Sequence, residues 1–127
     1  MNILGIGVDV VETARIEASL SKFGERFLKR VFTIGEIDYS SSMPFPARHF
    51  AARFAAKEAV SKAFGTGIGR QMGWRDIEVC RKETGEPFVV LHDSARDFAE
   101  TLGVAPPLIS LSHSDHYSVA NAVLVRP

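Results

Sequence analysis

Residues 47–64 read ARHFAARFAAKEAVSKAF and form the longest helix candidate in the chain. Prolines precede this stretch at positions 44 and 46, alanine is frequent within it, and Gly65 follows it directly. Alanine has the highest helix propensity, proline is favoured in the first helical turn, and glycine is common just after the last. The pattern predicts one long central helix, and the other elements are expected to pack around it.

Shorter elements are predicted on both sides of this helix. Alternating or β-branched residues predict five strands, over 2–10, 74–82, 87–92, 107–112 and 117–125. Apolar residues at helical spacing predict helices over 12–31, with a bend at Gly24, and over 93–103, and Thr33 and Glu36 form a capping box that begins another helical turn. The sequence therefore predicts one α+β domain over residues 1–127, a small antiparallel sheet packed with a long central helix and shorter helices.

Length, charge and cysteine content narrow the class of protein. The chain has 127 residues, the size of one domain, and its 15 basic residues balance 15 acidic ones. No apolar run approaches the roughly 20 residues of a membrane helix, and the amino terminus lacks the pattern of a secretory signal. Cys80 is the only cysteine, so no intramolecular disulfide can form. These features predict a cytoplasmic protein that binds neither nucleic acid nor membrane.

Asp9 lies in the first predicted strand with unusual neighbours. Strand alternation places it on the same face as Gly5 and Gly7, while larger apolar residues such as Ile6 and Val8 occupy the other face. Two glycines beside a carboxylate indicate that something approaches the backbone closely. A tight packing contact and a bound ligand are both open explanations.

Glu58 lies in the middle of the long helix and shares an arc with Phe54 and Lys62. The simplest interpretation is an ion pair with Lys62 four residues on, and helix spacing alone favours it. Arg53 and Lys57 are also four residues apart, on an adjoining arc. Four long side chains at this density either form a solvated helix surface or gather phosphate groups.

The glycines of the segment 65–69 could allow backbone N–H groups to approach an anion, or could simply end the helix flexibly. The segment follows a helix and has Arg70 where a third glycine would be needed, so it is not a dinucleotide-binding motif. A Ser-His-Asp site with Asp115 is weakly indicated, because Ser112 and His113 are adjacent on a strand and point apart. A zinc site at His113 and His116 lacks the usual ligand spacing.

Three segments together resemble a known family. GIGVDVVETARI (residues 5–16), RFAAKEA (53–59) and ISLSH (109–113) resemble, in order, the three motifs of the phosphopantetheinyl transferases of the small, holo-(acyl carrier protein) synthase type. FTIGE (32–36) and WRDIE (74–78) are similar to intermediate family segments, so the resemblance covers nearly the whole chain. Ser118 departs from the more usual alanine, and residues 40–46 carry no family signature.

The resemblance implies a reaction and its site. The enzyme would transfer the 4′-phosphopantetheine group of coenzyme A to a serine of apo acyl carrier protein, release adenosine 3′,5′-bisphosphate, and support fatty acid biosynthesis. Asp9 and Glu58 would bind Mg²⁺, and the catalytic residues would be Glu58, Lys62 and Asp9. Two carboxylates from distant segments fit the preference of Mg²⁺ for oxygen ligands.

The resemblance also implies the binding residues and the assembly. Coenzyme A would contact the residues that match the family's binding motifs, Arg53, Lys62, Gly65, Thr66, Gly67, Ser112 and His113. The carrier protein would meet a basic helix surface at Arg15, Lys22 and Arg26. Small members of the family form homotrimers with active sites between subunits, so a homotrimer is expected here.

Three rival functions stay open at this point. A non-catalytic module that binds coenzyme A or a carrier protein would not need Glu58. A magnesium-dependent diphosphate hydrolase would use a similar phosphate site but pass the group to water. A transferase for peptide-synthesis carriers is disfavoured, because those relatives resemble a duplication of about twice this length.

Overall fold

The computed structural model describes residues 2–127. Its elements in chain order are β1 Asn2–Glu12, α1 Thr13–Phe23, α2 Glu25–Val31, α3 Ile34–Ser41, α4 Pro46–Ala63, β2 Ile77–Arg81, β3 Pro87–Leu91, α5 Asp93–Leu102, β4 Leu108–His113 and β5 Tyr117–Arg126. The predicted long helix is α4, and twelve of its eighteen residues are buried. A helix that is buried around most of its circumference belongs to the core. Within residues 2–127, no helix is long and apolar enough to cross a membrane.

The strands form two small antiparallel sheets. One has three strands in the order β1-β5-β4, and the other is the hairpin of β2 and β3. The α+β class and the five predicted strands are confirmed, although β2 begins at Ile77 rather than at residue 74. The predicted bend between α1 and α2 is also confirmed, and Gly24 has a φ of 55° there. Helix α4 packs mainly on β1 and β5 and therefore lies across the larger sheet.

Gly5 and Gly7 explain how closely α4 lies on β1. A Cβ atom added to Gly5 would lie 2.0 Å from the carbonyl oxygen of Ala63, and one added to Gly7 would lie 1.9 Å from that of Ala59. Neither distance is possible for a real side chain, so only glycine permits this contact. The close neighbour is thus the helix backbone rather than a ligand. The same contact brings Asp9, two residues further along β1, alongside α4.

The opposite face of the larger sheet is apolar and exposed. Ile6, Val8 and Val10 are 72%, 53% and 58% exposed. The register places Val10 opposite Val119 of β5, which in turn pairs with Ser112 of β4. A contiguous apolar patch of this kind on a folded protein marks an interaction surface.

A buried ion pair ties α3 to α4. Lys57 and Glu36 are both fully buried, with Nζ of Lys57 2.7 Å from Oε1 of Glu36. Lys57 also donates to the backbone carbonyls of Trp74 and Ile77, at 2.8 and 2.5 Å. Glu36 accepts from the backbone N–H of Thr33 in the predicted capping box, which is confirmed. Because each charge has several partners, burial of the pair is tolerated.

Candidate active site

Asp9 and Lys62 meet where β1 crosses α4. Nζ of Lys62 lies 3.0 Å from Oδ1 of Asp9 and 3.2 Å from the carbonyl oxygen of Val8. In residues 2–127, the Glu58 carboxylate forms no ion pair within 4 Å. The Glu58–Lys62 ion pair that helix spacing favoured is therefore wrong. Lys62 reaches the neighbouring strand instead, because the glycines bring that strand within its length.

The carboxylate of Glu58 is held in a setting that favours its protonated form. Burial raises the pKa of Glu58, the negative charge of Asp9 raises it further, and Lys62 and Arg15 oppose the shift. The two carboxylates are thus close enough to influence each other while lying on separate elements. A raised pKa suits a proton acceptor that works near neutral pH.

The oxygen donors of this site fit a magnesium ion. Mg²⁺ is commonly bound by one or two carboxylates, and substrate phosphates and water complete its shell. Asp9 and Glu58 supply two such carboxylates. No group of three or more acidic, histidine or cysteine side chains forms within residues 2–127. The donor set therefore suits an ion that shares its ligands with a phosphate substrate.

A groove opens beside Glu58. Its cavity is about 360 Å³, its apolar lining includes Phe54 and Phe27, and three arginines, Arg15, Arg26 and Arg30, line it as well. Two of the predicted carrier-binding residues, Arg15 and Arg26, thus come together here. The third, Lys22, does not line the groove: its Nζ lies 5.3 Å from the centroid of the Phe23 ring. Arg30 also lines the groove, although the sequence did not single it out.

A second cluster of basic side chains surrounds Arg53. A cavity of about 200 Å³ is lined by Arg53, His113, His49 and Arg81. The ring centroids of His49 and His113 are 5.7 Å apart. Sequence reasoning singled out Arg53 and His113 but missed the other two. His49 could have been found, because it lies one helical turn before Arg53, whereas the sequence carries no signal for Arg81.

Arg53 itself is buried without a carboxylate partner. The residue is 3% exposed, and its guanidinium stacks on Tyr39 at 4.4 Å from the ring centroid. NH1 donates to the His49 carbonyl at 3.4 Å, but Nε has no hydrogen-bond partner among residues 2–127. Buried polar atoms are nearly always paired. The buried guanidinium therefore keeps unused hydrogen-bonding capacity next to the cavity.

The two clusters lie on different sides of one helix. Glu58 follows Arg53 by five residues, which corresponds to about 7.5 Å along the axis and about 140° around it. Glu58 faces the groove that Arg15 lines, and Arg53 faces the cavity that Arg81 lines. A single chain thus presents two separate clusters of charged side chains, one on each of these sides of α4.

Gly65, Thr66 and Gly67 close the end of α4. The N–H of Gly65 donates to the Lys62 carbonyl at 2.9 Å, and those of Thr66 and Gly67 donate to the Ser61 carbonyl at 3.2 and 3.1 Å. The φ angles of Gly65 and Gly67 are positive, 81° and 66°, which favours glycine in this turn. Because the helix uses these three N–H groups, the anion-binding turn that the glycines suggested is not formed by them.

Ser112 is separated from His113. The serine is exposed on the apolar outer face of the larger sheet, while His113 lines the cavity beside Arg53. Asp115 pairs with Arg48 at 3.3 Å. The Ser-His-Asp arrangement is therefore absent from residues 2–127. The two histidines suggested for zinc likewise join no metal-binding group there.

Comparison with known proteins identifies the family of this chain. The family model described as the 4′-phosphopantetheinyl transferase superfamily matches residues 5–122. This chain belongs to that superfamily. Among curated relatives, the holo-[acyl-carrier-protein] synthases of Koribacter versatilis and Chlamydia trachomatis serovar D are each 46% identical. The matches cover 96% and 94% of this chain and 98% and 97% of those proteins.

Solved structures of transferases agree with the fold. The holo-[acyl-carrier-protein] synthase of Neisseria meningitidis is similar with a TM-score of 0.92 and 32% identity, over 98% of this chain and 99% of that one. The synthase of Bacillus anthracis, in complex with CoA (3′,5′-ADP), gives a TM-score of 0.80 and 35% identity over 96% of each chain. That of Helicobacter pylori, in complex with coenzyme A, gives 0.84 and 29%, over 94% and 99%.

Proposed function

We propose that this transferase moves the 4′-phosphopantetheine group of coenzyme A onto a serine of apo acyl carrier protein and releases adenosine 3′,5′-bisphosphate. The observation that carries the proposal is the convergence of Asp9, Glu58 and Lys62 beside an arginine-lined groove. The names of the curated relatives and the coenzyme A complexes of similar structures support the same reaction. Fatty acid biosynthesis is the expected pathway, and the cytoplasm the expected compartment.

Asp9 and Glu58 would hold a magnesium ion. When bound there, the ion would neutralise charge on the diphosphate and help to fix its orientation. Lys62, which is half exposed and holds only one oxygen of Asp9, would also be able to contact a phosphate oxygen.

The protein residues would then activate the carrier serine. Glu58 would accept the hydroxyl proton, directly or through water, since it lines the groove from which the carrier serine would approach. The serine oxygen would form a bond to the phosphorus on the pantetheine side. The bond from that phosphorus to the bridging oxygen would break, and the electron pair would leave with adenosine 3′,5′-bisphosphate. Lys62 would stabilise the developing negative charge.

The arginine-lined groove would receive the carrier protein. Arg15, Arg26 and Arg30 supply positive charge, and the aromatic lining supplies apolar area for a partner helix. Carrier proteins with acidic surfaces would be attracted by such a patch. Lys22 would act only at the margin, because it does not line the groove.

A homotrimer would join the two half-sites of neighbouring copies. Ile6, Val8 and Val10 form an exposed apolar surface that a second copy could cover. The Glu58 and Arg53 sides of α4 face apart, so one extended coenzyme A would reach both sides only across a boundary between copies. Ser112 lies on the same outer face and would reach the substrate only at such a boundary.

Coenzyme A would therefore lie between an Asp9–Glu58–Lys62 half and an Arg53–His113 half. The diphosphate, where the reaction occurs, belongs to the carboxylate half. Gly65, Thr66 and Gly67 lie just beyond the end of α4, three to five residues after Lys62, so they would contact the substrate near that half. Their N–H groups are used by the helix, and the Thr66 hydroxyl donates to the Gly67 carbonyl at 2.8 Å, so any contact with the substrate would be made by their acceptor oxygens.

Intact-mass measurement of a purified apo acyl carrier protein tests the reaction. The carrier is incubated with this protein, coenzyme A and Mg²⁺, beside Glu58→Gln, Asp9→Asn and chelator controls. We expect one phosphopantetheinyl group to be added by the wild type and almost none in the controls. An unchanged carrier mass with folded, coenzyme A-binding wild type would contradict the proposal and favour a binding module.

A matched reaction without carrier protein tests the hydrolase alternative. The proposal predicts that coenzyme A stays intact in this reaction, because transfer requires the carrier serine as the acceptor. Release of phosphopantetheine at a rate comparable to transfer would favour the hydrolase.

A further inference from the structure

His49 lies in the basic cavity at the Arg53 side of α4, and neither the family motifs nor the sequence pattern assigns it a role. Its ring meets His113 of β4 at 5.7 Å and Tyr39 of α3 at 5.8 Å between centroids. The cavity that it lines with Arg53 and Arg81 is about 200 Å³. The imidazole is thus part of a built, positively charged cavity rather than an isolated surface group.

The charged groups that face His49 are almost all cationic. Arg48 and Arg53 face it from α4, Arg81 from β2 and His113 from β4. Arg48 is paired with Asp115 at 3.3 Å, but Arg53 and Arg81 form no ion pair within residues 2–127. Burial lowers the pKa of His49, and the positive charges of Arg53 and His113 lower it further. The free protein therefore holds this imidazole neutral at neutral pH.

The chemistry of coenzyme A indicates which group would enter this cavity. The molecule carries a diphosphate and a separate phosphate monoester on its ribose. The diphosphate must reach Asp9 and Glu58 if transfer occurs, which leaves the monoester for the second cluster. A phosphate monoester carries nearly two negative charges at neutral pH. Such a group would reverse the electrostatic balance around both imidazoles.

We propose that His49 is a binding residue for the ribose phosphate monoester of coenzyme A and that its imidazole takes up a proton when this phosphate enters. The inference rests on the proposed function and adds to it a residue and a pH dependence. The bound phosphate replaces the repulsion between cations with attraction, so the imidazolium form becomes favourable. Because binding takes up a proton, affinity rises as the pH falls through neutrality.

Isothermal titration calorimetry in two buffers of different ionisation enthalpy measures this proton uptake. Wild type, His49→Gln and His92→Gln are titrated at about pH 7 with coenzyme A and with 3′-dephospho-coenzyme A. Glutamine keeps a hydrogen-bonding group but cannot take up the proton. His92 is the matched control, because its ring contacts Glu78 at 2.9 Å and does not line this cavity.

We expect coenzyme A to bind with uptake of on the order of half a proton or more in wild type and His92→Gln. In His49→Gln the uptake should fall to less than about half of that value. Its affinity for coenzyme A should fall by about tenfold, as for loss of one charge-assisted hydrogen bond. The affinity for 3′-dephospho-coenzyme A should be the same in all three proteins.

Three results would overturn the inference in different ways. If coenzyme A binds but His49→Gln keeps the full uptake and affinity, the inference is wrong and the transferase proposal stands. If wild type binds coenzyme A no more tightly than its dephospho form, the ribose phosphate does not enter the cavity. If neither compound binds at all, the proposed function fails together with the inference.

Discussion

Two lysines of α4, Lys57 and Lys62, differ in their burial and in their contacts. On one side, Lys57 is fully buried and is fixed by Glu36 and two backbone carbonyls. On the other, Lys62 is half exposed and is tied only to Asp9 and one carbonyl. Five residues separate the two lysines. The Lys57–Glu36 pair is buried and fully hydrogen-bonded, and it stabilises the fold. The Lys62–Asp9 pair is partly exposed, so its remaining hydrogen-bonding groups are available to a substrate.

The largest expected effect is on catalysis. Glu58→Gln removes the proton acceptor and one magnesium ligand, so the transfer rate should fall by about 10²–10⁴-fold. Because Glu58 has no ion pair in the described chain, the unfolding temperature should stay nearly unchanged. Intact-mass kinetics and thermal unfolding measure the two quantities. A large loss of stability would mean that Glu58 stabilises the fold, as Lys57 does.

Lys57→Met tests the structural side. The substitution leaves the buried Glu36 carboxylate without its cation, so the free energy of unfolding should fall by about 3–5 kcal/mol. Urea denaturation measures this change. The double variant Lys57→Met with Glu36→Met removes both charges and should regain much of the stability. A loss below about 1 kcal/mol in the single variant would show that the pair does not hold α3 to α4.

Gly7→Ala tests the contact that brings Asp9 to α4. A methyl group cannot fit 1.9 Å from the Ala59 carbonyl, so the strand and helix must separate. Overpacking of this kind costs about 1–3 kcal/mol, and the shift should also reduce the transfer rate. Gly69→Ala is a suitable control, since an added Cβ there meets nothing within 4 Å. Equal effects of the two substitutions would contradict the packing argument.

Lys62→Met is the counterpart of Lys57→Met. Lys62 is half exposed, so stability should change by no more than about 1 kcal/mol. The transfer rate should nevertheless fall by at least tenfold, because a phosphate contact is lost. Comparing urea denaturation and intact-mass kinetics of the two variants separates the roles. Equal stability losses for the two variants would contradict the different roles assigned to Lys57 and Lys62.

Ser118→Ala has the smallest expected effect. Ser118 is fully buried, and its hydroxyl has no hydrogen-bond partner in residues 2–127. Removing an unpaired buried hydroxyl should raise stability by about 1 kcal/mol without altering transfer. Thermal unfolding checks this expectation. Destabilisation would show that the hydroxyl has a partner in the working protein.

Much of the fold was accessible from the sequence because local patterns agreed. The alanine-rich stretch gave α4, alternation gave the strands, and Thr33 with Glu36 gave the start of α3. The division into two sheets was missed, because strand pairing depends on contacts between distant segments. The partner of Lys62 was missed for the same reason: helix spacing considers only one helix, and Asp9 lies on a strand 53 residues away.

The candidate site was predicted unevenly. Motif resemblance singled out Asp9, Glu58, Lys62 and Arg53, and the structure places them in two clusters on different sides of α4, with Asp9 joining one of them from β1. Arg81 was missed because a single arginine on a strand carries no pattern of its own. Arg30 was not among the predicted carrier-binding residues. Its place in the groove depends on the angle between α1 and α2, which the sequence does not specify.

The central claim is that the Glu58 cluster of one copy and the Arg53 cluster of a neighbouring copy bind the same substrate molecule. Its most direct test is complementation between Glu58→Gln and Arg53→Met, mixed in equal amounts, dissociated and reassembled. His113→Ala serves as a second partner in case loss of the buried guanidinium weakens the fold. Mixing Glu58→Gln with Lys62→Met, both on one side, is the control.

In a random cyclic assembly, about one site in four would combine an intact Glu58 side with an intact Arg53 side. The account therefore predicts recovery of about a quarter of wild-type transfer in the first mixture and none in the control. Equally inactive mixtures, with each variant folded and assembled, would show that each chain forms its site alone and would contradict the claim.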